Sequence, residues 1–217
     1  RLRETARRFK VSVLDFIITS NHVHLLLKSD RVEHVSAAMQ YLQGLTARDY
    51  NRRKQRSGAF WSDRFNPTLV EDGSHLSRCL FYIGLNMVRA SAVDHPVEWD
   101  AAGYHELAGR RQRYRILDLP VLLRCLGMPD QARGFRDWYE RTMVQMSSNG
   151  YFCREPYWTE AAAVGSRSWI ESLAERIVLG PKTIDVVHAV SASEVGEEQA
   201  SYVLTTSARQ SASLWKA

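Results

Sequence analysis

The chain has 217 residues, 45% of them hydrophobic and 24% charged, which is the composition of a folded globular protein. It contains no apolar run near the roughly 18–20 residues of a membrane-spanning helix and no basic-then-apolar leader at its start, so neither a membrane span nor a signal peptide is expected. Residues 1–115 hold 19 Lys and Arg against 12 Asp and Glu, a net of +7, while residues 116–217 hold 10 against 12, a net of −2, which together give the overall +5.

Arg dominates the basic residues, and its planar, permanently charged fork suits phosphate. The first half is therefore the part expected to meet a polyanion. The chain begins at Arg1 without an initiator Met, which reads as a trimmed product or a fragment. Cys79, Cys125 and Cys153 are an odd number without C-x-x-C spacing. They argue against a disulfide framework or a structural zinc site, favour a reducing compartment, and read as small buried apolar residues.

Residues 1–9 read as the tail of a basic helix. The β-branched run 11–19 predicts a buried strand, Ser20-Asn21 a tight turn, and residues 22–28 a second strand in a hairpin with the first. Val32, Val35, Met39 and Leu42 recur at helical spacing and predict a helix over 31–51, running into the basic loop 51–58. Residues 59–71 are strand-like, with Pro67 marking an edge or break. Asp72-Gly73-Ser74 supplies capping residues for a helix over 74–91, whose apolar stripe is Leu76, Leu80, Ile83 and Met87. A basic stretch, GRRQRYR, occupies 109–115. Beyond Leu117 the pattern becomes short helices: 119–127, 134–143 and 166–179. Residues 201–206 predict a strand within an otherwise Ser-, Ala- and Thr-rich end.

His22 and His24 are two apart on a predicted strand, so both imidazoles leave the same face, while Val23, Leu25 and Leu27 leave the other. Such a pair is half of a divalent-metal site, or two ordinary strand histidines. On the 74–91 helix, Arg78, Tyr82, Asn86 and Arg89 form a polar stripe at +4, +4, +3. A tyrosine hydroxyl can act as a nucleophile and an amide oxygen as a neutral metal ligand. The plainer reading is an amphipathic helix with a polar outer side. His34, His75, His95, His105 and His188 have no spacing partner and read as structural.

The segment 21–27, NHVHLLL, resembles the His-hydrophobic-His segment of the single-tyrosine HUH transposases. The segment 82–90, YIGLNMVRA, resembles that family's catalytic-tyrosine segment, commonly Y-I-x-x-N-P-V-R-A, with Met87 where Pro is usual. Between them, Ser57 to Trp61 with Arg64-Phe65 is similar to the family's G-x-x-W-x-x-R-F stretch. The resemblance covers residues 1 to about 110. Segments 154–158 and 165–169 are similar to C-terminal extensions of the REP-associated branch.

The resemblance implies an α+β fold: a ferredoxin-like antiparallel sheet with helices, its N-terminal strand missing from this chain, followed by a mostly helical C-terminal extension. It divides the chain into a transposase domain over 1–110, a helical extension over 111–185 and a poorly ordered tail over 186–217. It implies Tyr82 as the nucleophile, His22, His24 and Asn86 as ligands of Mg²⁺ or Mn²⁺, and single-stranded DNA with REP-like hairpins as substrate. The enzyme would nick and rejoin that DNA through a 5′-phosphotyrosine. Arg52, Arg53, Lys54, Arg56, Trp61, Arg64 and Arg89 are the expected DNA contacts. The expected setting is the cytoplasm, at the nucleoid, with a homodimer compatible with the chemistry. The competing readings are a domesticated relative, a non-catalytic DNA-binding protein of the same family, and a metal-binding structural module.

Overall fold

The computed structural model describes residues 1–148, 154–176, 182–187 and 201–206. The fold is α+β. Helix α1 (Leu2–Phe9) leads into strands β1 (Ser12–Ile18) and β2 (Val23–Lys28), an antiparallel hairpin, and then into the long helix α2 (Val32–Arg53). Strand β3 (Leu69–Val70) precedes α3 (Ser74–Gly84) and α4 (Asn86–Arg89). A short α5 (Tyr104–Leu107) is followed by α6 (Leu119–Cys125), α7 (Ala132–Ser148), α8 (Tyr157–Glu160), β4 (Ala163–Gly165), α9 (Arg167–Arg176), β5 (Lys182–Val187) and β6 (Ser201–Thr206). β1 and β2 form one two-stranded sheet, and a second, mixed sheet has the order β3-β4-β6-β5.

Alternation along β2 sorts its side chains onto two layers. Leu25 and Leu27 join Ala6 of α1 and Ala38 and Leu42 of α2 around a small apolar cavity. Leu26 points the other way, into a core it shares with Leu14 and Ile17 of β1 and Leu76, Leu80 and Ile83 of α3. His24, two residues from Leu26, is thereby carried on the α3 side of the hairpin. That same core continues into the extension through Leu122, Phe135, Tyr139, Met143 and Trp158. The expected boundary at residue 110 thus falls in a loop, while the packing runs across it. At the crossing of α3 and α7, Gly84 leaves no room for a side chain, because an added Cβ would run into Met143.

Several elements differ from the sequence reading. The strand expected over 59–71 is reduced to Leu69–Val70. Its preceding residues are held by side chains instead: Asn66 donates to the Thr159 carbonyl at 2.6 Å and Thr68 to the Ala161 carbonyl at 2.7 Å. The helix expected over 74–91 is interrupted at Leu85, although Leu85 N–H still donates to the Phe81 carbonyl and Arg89 N–H to the Leu85 carbonyl, both at 2.9 Å. The i, i+4 stripe therefore survives the break. Asp72 does not cap α3; Gly73 holds the cap position and Asp72 pairs with Lys28 at 2.8 Å. The extension, mostly helical as expected, also supplies β4, β5 and β6. The strand expected at 201–206 forms as β6. The remaining tail from 207, residues 188–200 with His188, and Cys153 lie outside the described residues.

One core residue has a consequence for stability. Asp15 of β1 is 1% exposed; its Oδ1 accepts from the Phe16 N–H at 2.8 Å, and its Oδ2 has no partner among the described residues. Burial holds its carboxyl well above the ordinary value, and Glu106 pushes the same way. The folded state thus binds this proton more tightly than the unfolded chain does, so the contribution is greatest below the unfolded pKa and fades as pH rises through the folded one. Asp15→Asn is expected to stabilise the protein by on the order of 1–3 kcal/mol at pH 8, the scale of one unpaired buried polar group, and by much less at pH 4. Thermal melts of both proteins across that range check it; parallel curves would contradict it.

Candidate active site

The hairpin turn positions the two histidines. Thr19 N–H donates to the His22 carbonyl at 2.9 Å, and the Thr19 hydroxyl bonds both that carbonyl and Asn21. His22 Nδ1 lies 2.7 Å from Asn21 Oδ1. An amide oxygen only accepts, so Nδ1 carries the hydrogen and Nε2 is the ring nitrogen left for another partner. His24 faces His22 with ring centroids 4.9 Å apart. Burial, with the charges of His22 and Arg89, lowers the His24 pKa to about 4, so its ring is neutral and ready to donate a lone pair at neutral pH.

Helix α3 brings Tyr82 to this pair, its ring centroid 6.5 Å from that of His24. The Arg89 guanidinium lies 3.8 Å above the tyrosine ring, and its Nη1 donates to the Tyr82 carbonyl at 2.7 Å. Half-burial raises the pKa of the Tyr82 hydroxyl; Arg89 pulls it down by charge and hydrogen bonding, Glu155 raises it and Arg154 lowers it. His22, His24, Tyr82 and Arg89 therefore gather at one end of the hairpin. Asn86 opens α4 half-buried, one turn beyond Tyr82, and its side chain makes no hydrogen bond or ring contact among the described residues. Arg78, at the other end of the stripe, donates to Ser201 of β6 at 2.6 Å.

The remaining expected DNA contacts lie at the end of α2 and after it. Arg52 pairs with Asp49, Arg53 and Arg56 lie over the Tyr50 ring, and Lys54 and Arg64 are exposed. Trp61 is half-buried: its indole N–H donates to the Gln43 carbonyl at 3.0 Å and its ring stands edge-on to Phe60. Among the described residues, no hydrogen bond, ion pair or ring contact joins this group to the His–Tyr cluster. The histidines expected as structural have partners of that kind: His34 with Ser29, His75 with Glu71, His95 capping at Val97 and His105 at the Trp99 carbonyl.

The 154–158 segment carries no local sign of a part in the site, yet it reaches the tyrosine. The Trp158 ring, 7% exposed, sits 6.1 Å from Tyr82, and its indole N–H donates to Glu155 at 2.7 Å. The tryptophan and the Arg-Glu pair were visible as a stretch, but nothing local tied them to a helix more than 70 residues earlier.

Among the described residues, no group of three or more His, Cys, Asp or Glu side chains comes together. The donors that the structure brings together are the two imidazoles, and Asn86, one turn beyond Tyr82, carries the neutral amide expected to join them. Such a set fits a divalent cation only in company with an anionic oxygen from elsewhere, as a phosphate would supply. No helix among the described residues is long and apolar enough to cross a membrane.

The α+β frame sets a tyrosine and an arginine beside paired imidazoles, residue types whose chemistry includes nucleophilic attack and the binding of anions. Residues 1–84 match the family model for IS200-like transposases, and this segment is similar to that family. The family that this segment matches is one of transposases. Neither the comparison with curated proteins nor that with solved structures found a match.

Proposed function

We propose that the protein nicks and rejoins single-stranded DNA next to hairpins, as in the REP-associated branch, with Tyr82 as nucleophile. The observation that carries this reading is the grouping of Tyr82, 6.5 Å from His24, with His22 beside it and Arg89 3.8 Å over its ring. The Tyr82 oxygen attacks the scissile phosphorus and the bond to the 3′ oxygen breaks. The departing 3′ oxygen takes up a proton, and a 5′-phosphotyrosine remains. Attack by another 3′-hydroxyl on that phosphorus reverses the exchange and frees the tyrosine. The phosphodiester is conserved throughout, in keeping with a sequence that has no P-loop.

His22, His24 and Asn86 would hold Mg²⁺ or Mn²⁺, which supplies charge stabilisation for the phosphate oxygens. His22 is oriented for this by Asn21, and His24 is kept neutral by its burial. Arg89 holds the tyrosine ring by stacking and favours loss of its proton by charge, which offsets part of the cost of burial. Trp158 packs beside the ring and adds to its burial. Arg52, Arg53, Lys54, Arg56 and Arg64 would guide the strand by charge, and Trp61 would pack rather than stack.

The test is a denaturing gel of the chain with a labelled single-stranded hairpin and Mn²⁺, chosen over Mg²⁺ because imidazole is a poor match for the harder ion. A protein-linked DNA band is expected, lost with chelator. In His24→Ala it is expected to fall by about 10–100-fold, the usual effect of disturbing a metal site. A band equally strong in His24→Ala, or no band at any hairpin, would overturn the reading. A domesticated, non-mobile relative would give the same band.

A further inference from the structure

The basic stretch 109–115 has no part in the chemistry above, and its structure is unusual for a surface loop. Tyr114 is 82% exposed, its backbone is left-handed at φ 56°, and no hydrogen bond or ring contact holds it among the described residues. A bulky residue rarely adopts that backbone, and a surface tyrosine stripped of neighbours gains nothing from packing. The loop is nevertheless fixed at its base. The buried Glu106 carboxylate accepts from the Ile116 and Leu117 N–H groups at 2.8 and 2.9 Å, and Arg111 N–H donates to the His105 carbonyl at 2.7 Å. The tyrosine is thus held outward by a built loop.

Its neighbours are arginines with different fates. Arg110 pairs with Glu140 at 3.0 Å and Arg111 donates to the Asp100 carbonyl at 3.1 Å. Arg113 and Arg115 flank Tyr114 and are exposed, Arg115 with only a long 3.4 Å bond to Gln112. The Arg111 bond also locates the loop. Next to Asp100, the Ala101 carbonyl accepts from Ile18 N–H at 2.9 Å, and Ile18 pairs in the hairpin with Val23, the residue between His22 and His24. Ile18 itself is 42% exposed. A short run of bonded residues therefore links the Arg-Tyr loop to the histidine end of the hairpin.

We propose that loop 109–115 is a second grip for single-stranded DNA, in which Tyr114 stacks on an unpaired base and Arg113 and Arg115 take the adjoining phosphates. A projecting aromatic between cations, with no apolar groove around it, is the arrangement that holds a nucleic-acid strand whose bases are unpaired. Duplex DNA offers no base face to such a ring. The proposal rests on single-stranded DNA being the substrate and adds a grip on the strand that flanks the hairpin.

Fluorescence anisotropy of the full chain tests it, with a hairpin carrying a single-stranded flank and the same hairpin without one. Tyr114→Ala is expected to weaken binding of the flanked hairpin by about tenfold, the loss of one stacked base, and to leave the flankless hairpin unchanged. Tyr114→Phe is expected to bind like the parent. Replacing Arg113 and Arg115 by Gln is expected to flatten the slope of log affinity against log salt by about 0.7 for each phosphate no longer neutralised. Unchanged binding by Tyr114→Ala, or an equal loss on both DNAs, would overturn the proposal. Protein-linked DNA with binding indifferent to Tyr114→Ala removes the loop and leaves the nicking chemistry; Tyr114-dependent binding without any protein-linked DNA does the reverse.

Discussion

Tyr82→Phe is expected to abolish protein-linked DNA while leaving the melting temperature and hairpin affinity close to those of the parent. The phenyl ring keeps the volume that packs on Trp158 at 6.1 Å and on His24 at 6.5 Å, and it keeps a π face for the Arg89 guanidinium. The Arg89 bond to the Tyr82 carbonyl is a backbone contact and does not depend on the hydroxyl. What disappears is the one oxygen that makes the covalent bond, and the chemistry has no substitute for it. Tyr104 and Tyr139 of this core are 1% and 0% exposed and are closed to DNA, whereas Tyr157, beside Trp158, is half-buried. The denaturing gel reads the loss and thermal melts read the fold. Residual adduct in Tyr82→Phe would mean that another residue attacks.

Phe135→Ala is expected to cost about 3–5 kcal/mol, the usual effect of removing a fully buried aromatic side chain. Phe135 of α7 is 0% exposed and stacks on Tyr139, with ring centroids 5.7 Å apart. Tyr139 stacks in turn on Phe81 of α3 at 5.6 Å, the residue next to the proposed nucleophile. The loss should appear as a fall in melting temperature of about 2–4 °C per kcal/mol. Because the aromatic stack backs α3, adduct formation should fall with it near the new melting temperature. A loss below about 1 kcal/mol would show that α7 contributes little to the core, contrary to its packing.

Much of the site follows from local periodicity. A strand places alternate side chains on one face, so His22 and His24 were bound to project together. A helix places residues three and four apart on one stripe, so Tyr82 and Arg89 share a side despite the break at Leu85. The break itself had no signature, since Leu is a good helix former. The partners of these residues were harder to read. Arg89, an expected DNA contact, stacks on Tyr82, a contact set by side-chain reach rather than spacing. The approach of Trp158 to Tyr82, and the parallel pairing of β3 with β4, join segments far apart in the chain. Such contacts leave no pattern in a short window. The shortened β3 shows the opposite error: β-forming residues over 59–68 were outcompeted by side-chain bonds from Asn66 and Thr68 to the segment before β4.

Mapping the covalent bond shows directly whether Tyr82 is the nucleophile. The full chain would be incubated with the hairpin and Mn²⁺, the DNA trimmed by nuclease, the protein digested with trypsin, and the peptides weighed and fragmented. Cleavage after Arg78 and Arg89 releases residues 79–89, in which Tyr82 is the only tyrosine. A nucleotide joined through its 5′ phosphate to Tyr82 in that peptide is expected. A nucleotide on any other residue, or cleaved DNA with no modified peptide, would contradict it.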